Sequence, residues 1–212
     1  MASEAFASSI RVIIATLAMA SLACLPASAT IVGLNQIATP EIQPEGVLAV
    51  SVQGHNPALG NPWQLQLELG LTKRFEVALF RGFSPGKTVF NAEYAIVQTP
   101  SFLLSTGLLG VENNLKTQPF LEGGYYRGKG FVIAGIQEQE SAILGVFGFG
   151  YHVAPKVQFW ADYVSGPGNF ATAGVSLQLS PNLSFNPAVY ISNGSPHRAY
   201  GYGVLTWNVS VW

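Results

Sequence analysis

The sequence predicts an all-β fold, an antiparallel up-and-down transmembrane β-barrel of about twelve strands, with ten as the alternative count. Two observations carry most of this expectation. The first is strict alternation, as in "NPWQLQLELGL" (61–71), where Trp63, Leu65, Leu67, Leu69 and Leu71 alternate with Gln64, Gln66, Glu68 and Gly70. That pattern makes a strand with one apolar and one polar face. The second is composition. The chain of 212 residues is 49% hydrophobic and only 10% charged, against about 25% in typical soluble domains, yet it shows no segment long and apolar enough for a spanning helix. An apolar exported chain of this kind needs a closed barrel to satisfy its backbone groups in lipid.

Export is read from the start of the chain. Arg11 precedes the apolar run "VIIATLAMASLACL" (12–25), and "PASA" (26–29) supplies a small-x-small cleavage site. A basic residue, a short apolar core and that site describe a secretory signal over 1–29. The run falls short of the roughly 20 residues of a membrane anchor. Cleavage removes Glu4, Arg11 and Cys24, so the mature chain has no cysteine and keeps a net charge near −1. Without cysteine there is no disulfide framework and no thiol chemistry. A balanced charge gives no reason to expect a nucleic-acid partner.

After a Pro-containing lead (30–44), the region 45–212 divides into short runs at 46–54, 62–71, 75–82, 88–97, 102–111, 118–127, 130–138, 141–152, 156–165, 169–179, 183–191 and 199–211. Gly, Pro, Asn, Ser and Lys separate them, as turns require. Alternate connectors differ in length. "TKR" (72–74), "QTPS" (98–101), "RGKG" (127–130), "VAPK" (153–156) and "SPN" (180–182) are tight. The other set, including "GHNPALGNP" (54–62), "ENNLKTQ" (112–118) and "SNGSPHR" (192–198), is mostly longer. An even strand number with short turns at one end and longer loops at the other fits an outer-membrane barrel.

Two features choose which face is wet. The polar faces carry Gln, Glu and Asn with almost no Lys or Arg, whereas solvated sheet edges usually carry Lys. Most basic residues fall in the connectors instead: Lys73, Arg74, Lys87, Lys116, Arg127, Lys129, Lys156 and Arg198. Aromatics recur at strand ends on the apolar side, at Trp63, Phe75, Phe90, Phe102, Phe131 and Trp207, like the girdles at the two lipid interfaces. The leucines of 65–71 therefore face lipid. The expected pore-lining set is Gln64, Gln66, Glu68, Glu76, Asn91, Glu93, Glu122, Gln158, Asp162, Gln178 and Asn186.

A signal peptide, alternating strands and a C-terminus ending "LTWNVSVW" (205–212) resemble the outer-membrane β-barrels of Gram-negative bacteria, porins and transporters among them. The resemblance is to the class and spans the mature chain. It implies residence in outer-membrane lipid and recognition of the C-terminal strand by a barrel-assembly machinery. There is one departure. In that class, alternate residues counted back from the terminal aromatic are apolar; here they are Ser210, Asn208 and Thr206. The apolar phase is Val211, Val209, Trp207 and Leu205, so either Trp212 caps the strand outside its pairing or recognition differs.

Five inward carboxylates, Glu68, Glu76, Glu93, Glu122 and Asp162, suggest a passive, cation-preferring channel or transporter for small solutes. The alternative is a plugged or structural barrel without transport. The runs 102–111, 131–136 and 142–150 are apolar or small on both faces, so something apolar should cover that wall. The candidates are the lead, with Ile31, Val32, Leu34, Ile37 and Ile42, a semi-apolar solute, or simple side-chain filling. A membrane-embedded hydrolase or acyltransferase is the further alternative. His55 and His197 fall in the first and last outer loops near Ser192 and Ser195, but no Asp or Glu is placed to orient either ring. No catalytic set, metal site or cofactor is expected.

Overall fold

The computed structural model describes residues 36–57, 62–83, 86–111 and 117–212. The predicted export signal, the lead residues Ile31, Val32 and Leu34, and Lys116 lie outside the described residues. The strands are β1 Val47–His55, β2 Trp63–Thr72, β3 Phe75–Gly82, β4 Thr88–Gln98, β5 Phe102–Val111, β6 Gln118–Arg127, β7 Gly130–Gln139, β8 Ala142–Ala154, β9 Val157–Val164, β10 Phe170–Ser180, β11 Leu183–Ser192 and β12 Ala199–Ser210. Each pairs antiparallel with the next, and β1 pairs with β12 from Val47↔Ser210 to His55↔Tyr202, closing the barrel. Among the described residues no helix is long and apolar enough to cross a membrane. The strands, from 8 to 13 residues, bracket the roughly 9–11 residues a tilted spanning strand needs.

Alternation sorts the side chains as the sequence predicts. Val52, Leu79, Leu121, Ile136, Phe147 and Leu179 are exposed on the outer surface, while Gln53, Glu76, Glu122, Ile133, Val146 and Ser176 are buried inside. An exterior this apolar is the inverse of a soluble β-protein. Near the end holding β1's first residue, the ladder juxtaposes outward aromatics: Phe75↔Tyr94, Phe102↔Tyr125 and Tyr151↔Phe159. Trp63 and Phe90 mark the opposite rim.

Phe131 departs from the expected girdle. It lies on the inner face, stacked on Tyr126 at 5.2 Å between centroids, over Gly150, where a Cβ would meet its ring at 2.3 Å. The ring fills space that only a glycine leaves. Both phases of "FVIAGI" (131–136) are apolar, so alternation gives no signal there.

Residues 36–44 run inside the barrel. Ile37, 3% exposed, packs with Ile133, Val146 and Val164, and Phe131 and Leu144 pack against that cluster. Pro40 lies over Gly124. The segment then leaves over β2: the Gly46 N–H donates to the Gly70 carbonyl at 2.9 Å. At the other terminus β12 stops at Ser210. The Val211 N–H donates to the Gly46 carbonyl at 2.8 Å, and Trp212 lies past the ladder, 67% exposed, its indole against Gly46.

Candidate functional site

The candidate site is the barrel interior, which segment 36–44 divides. On the side toward the longer loops lies a cavity of about 230 Å³. Gln36, Ile37, Ala38 and Thr39 form its floor. Its wall includes Glu68, Glu76, Glu93, Asn91, Asn186 and Trp160. On the other side a second cavity of about 420 Å³ is lined by Glu41, Ile42, Tyr126, Lys129, His152 and Gln158, among others.

Strand pairing explains the acidic wall. Glu76 and Glu93 are direct partners on β3 and β4, so their side chains leave the same face of adjacent strands. Glu68 is on the neighbouring strand β2, one ladder step off, opposite Ala78. All three are buried, at 7%, 6% and 6% exposure. Among the described residues no Lys or Arg lines this cavity. Like charges set this close are costly unless something offsets them, and the wall offers partial compensation. A relay runs from Tyr202 Oη to Gln53 Oε1 (3.0 Å), from Gln53 Nε2 to Gln66 Oε1 (2.6 Å), and from Gln66 Nε2 to Glu68 Oε2 (2.9 Å). The Gln43 backbone N–H donates to Glu76 Oε2. The Gln36 N–H reaches Asp162 Oδ2 at 3.4 Å, and Gln36 Nε2 donates to the Phe170 carbonyl at 2.6 Å. Segment 36–44 is thus held by two interior carboxylates as well as by Ile37.

Of the residues expected to line a pore, the first cavity gathers Gln66, Glu68, Glu76, Asn91, Glu93 and Asn186, and the second takes Gln158. Gln64, Glu122, Asp162 and Gln178 line neither. Gln64 is half-buried on β2, opposite Gln53. Glu122 is fully buried beside Gly135, and neither of its carboxylate oxygens has a hydrogen-bond partner among the described residues. Gln178 sits at a bulge in β10. Sequence reasoning missed Gln53, Phe80, Tyr202 and Thr206, which line the first cavity. For Tyr202 and Thr206 the signal was available in β12, where Tyr200, Tyr202, Val204, Thr206 and Asn208 alternate with Gly201, Gly203, Leu205 and Trp207.

Among the described residues His55 and His197 contact backbone carbonyls, and His55 also a ring. His55 stacks on Tyr202 with centroids 6.2 Å apart and its Nδ1 meets the Asn56 carbonyl. His197 Nδ1 meets the Ser192 carbonyl at 2.8 Å, so Ser192 offers its backbone rather than a nucleophile. His152 is exposed toward the opposite end. Among the described residues no three His, Cys, Asp or Glu side chains converge to hold a metal ion.

No protein-family model and no curated relative matches the sequence. Solved structures do match the fold. A KdgM porin superposes with a TM-score of 0.53 at 13% identity, over 76% of this chain and 98% of its own. A KdgM porin in complex with disordered oligogalacturonate gives 0.54 at 11% identity over the same shares. A NanC porin gives 0.48 at 10% identity, over 77% of this chain and 98% of its own. The chain's twelve-strand barrel shares its overall fold with the KdgM porin structures.

Proposed function

We propose that the chain is exported by a cleaved signal, inserts in the outer membrane of a Gram-negative cell through the assembly machinery, and forms a passive, cation-preferring channel for small solutes. Its lumen is narrowed by its own segment 36–44. The observation that carries this reading is the cavity wall of Glu68, Glu76 and Glu93, without a facing Lys or Arg among the described residues, since acidic rings favour cations in a pore. The porin-type fold and the apolar exterior support the setting. An oligogalacturonate, the ligand of one KdgM structure, is a polyanion that this wall would repel.

A second reading has its own support. Ile37 in the central cluster and the carboxylate bonds of Gln36 and Gln43 suit a barrel that its segment keeps shut. Bilayer recordings of the full mature chain and of a chain lacking 36–44 separate the two. A channel narrowed by the segment conducts, and its conductance rises on deletion. Silence that deletion relieves favours the shut barrel, and silence in both removes transport.

A further inference from the structure

We infer that the cavity above segment 36–44 is a binding site for a small organic solute carrying an ammonium group and hydroxyl groups, the chemistry of an amino sugar or amino alcohol. This rests on the cation-preferring reading and names its solute class. Three independent features of the wall converge. The acceptors come first: Glu68, Glu76 and Glu93; the Asn91 and Asn186 amide oxygens already accept from the Gly110 N–H and the Ser176 hydroxyl. An ammonium offers several donors and a compact charge to such a set. A metal ion is a poorer match, because calcium or magnesium needs six or more oxygens at short range and among the described residues no three His, Cys, Asp or Glu side chains are grouped to hold one.

The second feature is unmet hydrogen bonding. Trp160 lines the cavity at 2% exposure with its indole N–H unpartnered, and Glu93 lines it at 6% with one carboxylate oxygen unpartnered. One group needs an acceptor and the other a donor. A hydroxyl meets the first and an ammonium the second; a bare diamine would leave the indole unmet. Buried polar groups left without partners are costly, so a ligand supplying both recovers that cost.

The third feature is a run of rings leading to the cavity. His55 stacks near Tyr202, Tyr202 lies 5.1 Å from Tyr190, and Phe170 packs edge-on to Tyr190 and Tyr200 at 5.6 and 6.2 Å. Tyr202 reaches the cavity itself, on β12, one strand from β2 across β1. Aromatic faces attract cations and offer flat apolar surface to a ring. At about 230 Å³ the cavity lies below the usual range of about 300–1,000 Å³ for drug-sized ligands, which sets the solute at one sugar unit or smaller.

The test is calorimetric titration of the refolded mature chain in detergent with glucosamine, glucose, N-acetylglucosamine and magnesium chloride. The first three differ in charge far more than in shape. We expect saturable binding of glucosamine, with glucose and N-acetylglucosamine at least tenfold weaker. Glu93→Gln should remove that preference, and Trp160→Phe should weaken glucosamine severalfold. Heat-modifiable gel migration checks that each variant is folded, with Glu68→Gln as the substitute if Glu93→Gln is not. Glucose binding as tightly as glucosamine overturns the charge-based assignment. So does magnesium binding as tightly, or no saturable binding to a folded barrel. Reversal potentials on the same preparation keep the two readings apart. Cation selectivity without glucosamine binding removes the site and leaves the channel, whereas glucosamine binding by a silent barrel keeps the site and removes conduction.

Discussion

Leu67 states the residue-scale logic. It alternates with Gln66 and Glu68, and it pairs with Val50 on β1 and Leu79 on β3, an outward apolar patch at the middle of its strand. Leu67→Arg should cost roughly 2–4 kcal/mol if it lies near the bilayer midplane, measured by unfolding in liposomes; an unchanged midpoint would show that the outer face is not in lipid. Gly70 states the inward logic. A Cβ there would sit 2.2 Å from the Gln43 carbonyl oxygen and 2.3 Å from that of Pro44. Those atoms are backbone and cannot swing aside. Gly70→Ala should therefore cost about 1–3 kcal/mol or push the segment off β2, read as a lower unfolding midpoint or new protease cleavage in 36–44. Much of the interior was legible at this scale because a Gln, Glu or Asn between two large apolar residues fixes the phase. Phe131 was not, since its neighbours are apolar on both faces and only the pairing with Gly150 shows why the ring turns inward.

At the scale of elements, the strand limits follow from turn residues, and the sequence identified strands 5, 7 and 8 as a wall needing an apolar cover. The structure sets Ile37 against Ile133 and Val146 of that wall, and also lays inner side chains over its glycines, as Phe131 does over Gly150. What periodicity could not give is which stretch of the lead enters the barrel. Ile31, Val32, Leu34, Ile37 and Ile42 are equal candidates in the sequence, and among the described residues closure brings the wall to Ile37. Ile37→Ala should weaken docking by up to about 2–5 kcal/mol, as for other buried Ile truncations, seen as faster proteolysis of 36–44 with the barrel still folded. Docking should also depend on pH. Burial pushes the Glu41 carboxyl up from its ordinary 4.5 to about 7. The docked segment therefore holds a proton that a released one gives up between those values. Docking is strongest below about pH 4.5 and weakens as pH rises to about 7. Glu41→Gln should flatten that slope in the same proteolysis assay, and an unchanged slope would assign it to another group. The C-terminal strand was legible in its apolar phase, and its odd register has a structural counterpart: Trp212 packs on Gly46 beyond the ladder.

At the scale of the molecule, closure of β1 on β12 turns a diffuse pattern into a barrel with an apolar exterior and an acidic interior wall. The sequence reaches the strand number and the facing of most residues, because each strand's alternation is local. It does not reach the division of the lumen into two cavities or the meeting of Trp160 on β9 with the acidic wall, because both depend on which strands lie across the barrel from each other. The central claim is that carboxylates of β2, β3 and β4 set the charge preference of a conducting lumen. Its most direct test is the reversal potential of the refolded mature chain in a planar bilayer under a potassium chloride gradient, beside the double variant Glu76→Gln, Glu93→Gln. We expect a shift toward the potassium equilibrium potential that the double variant largely abolishes. A reversal potential near zero or toward chloride in the unaltered chain, or one unmoved by the double variant, would contradict it.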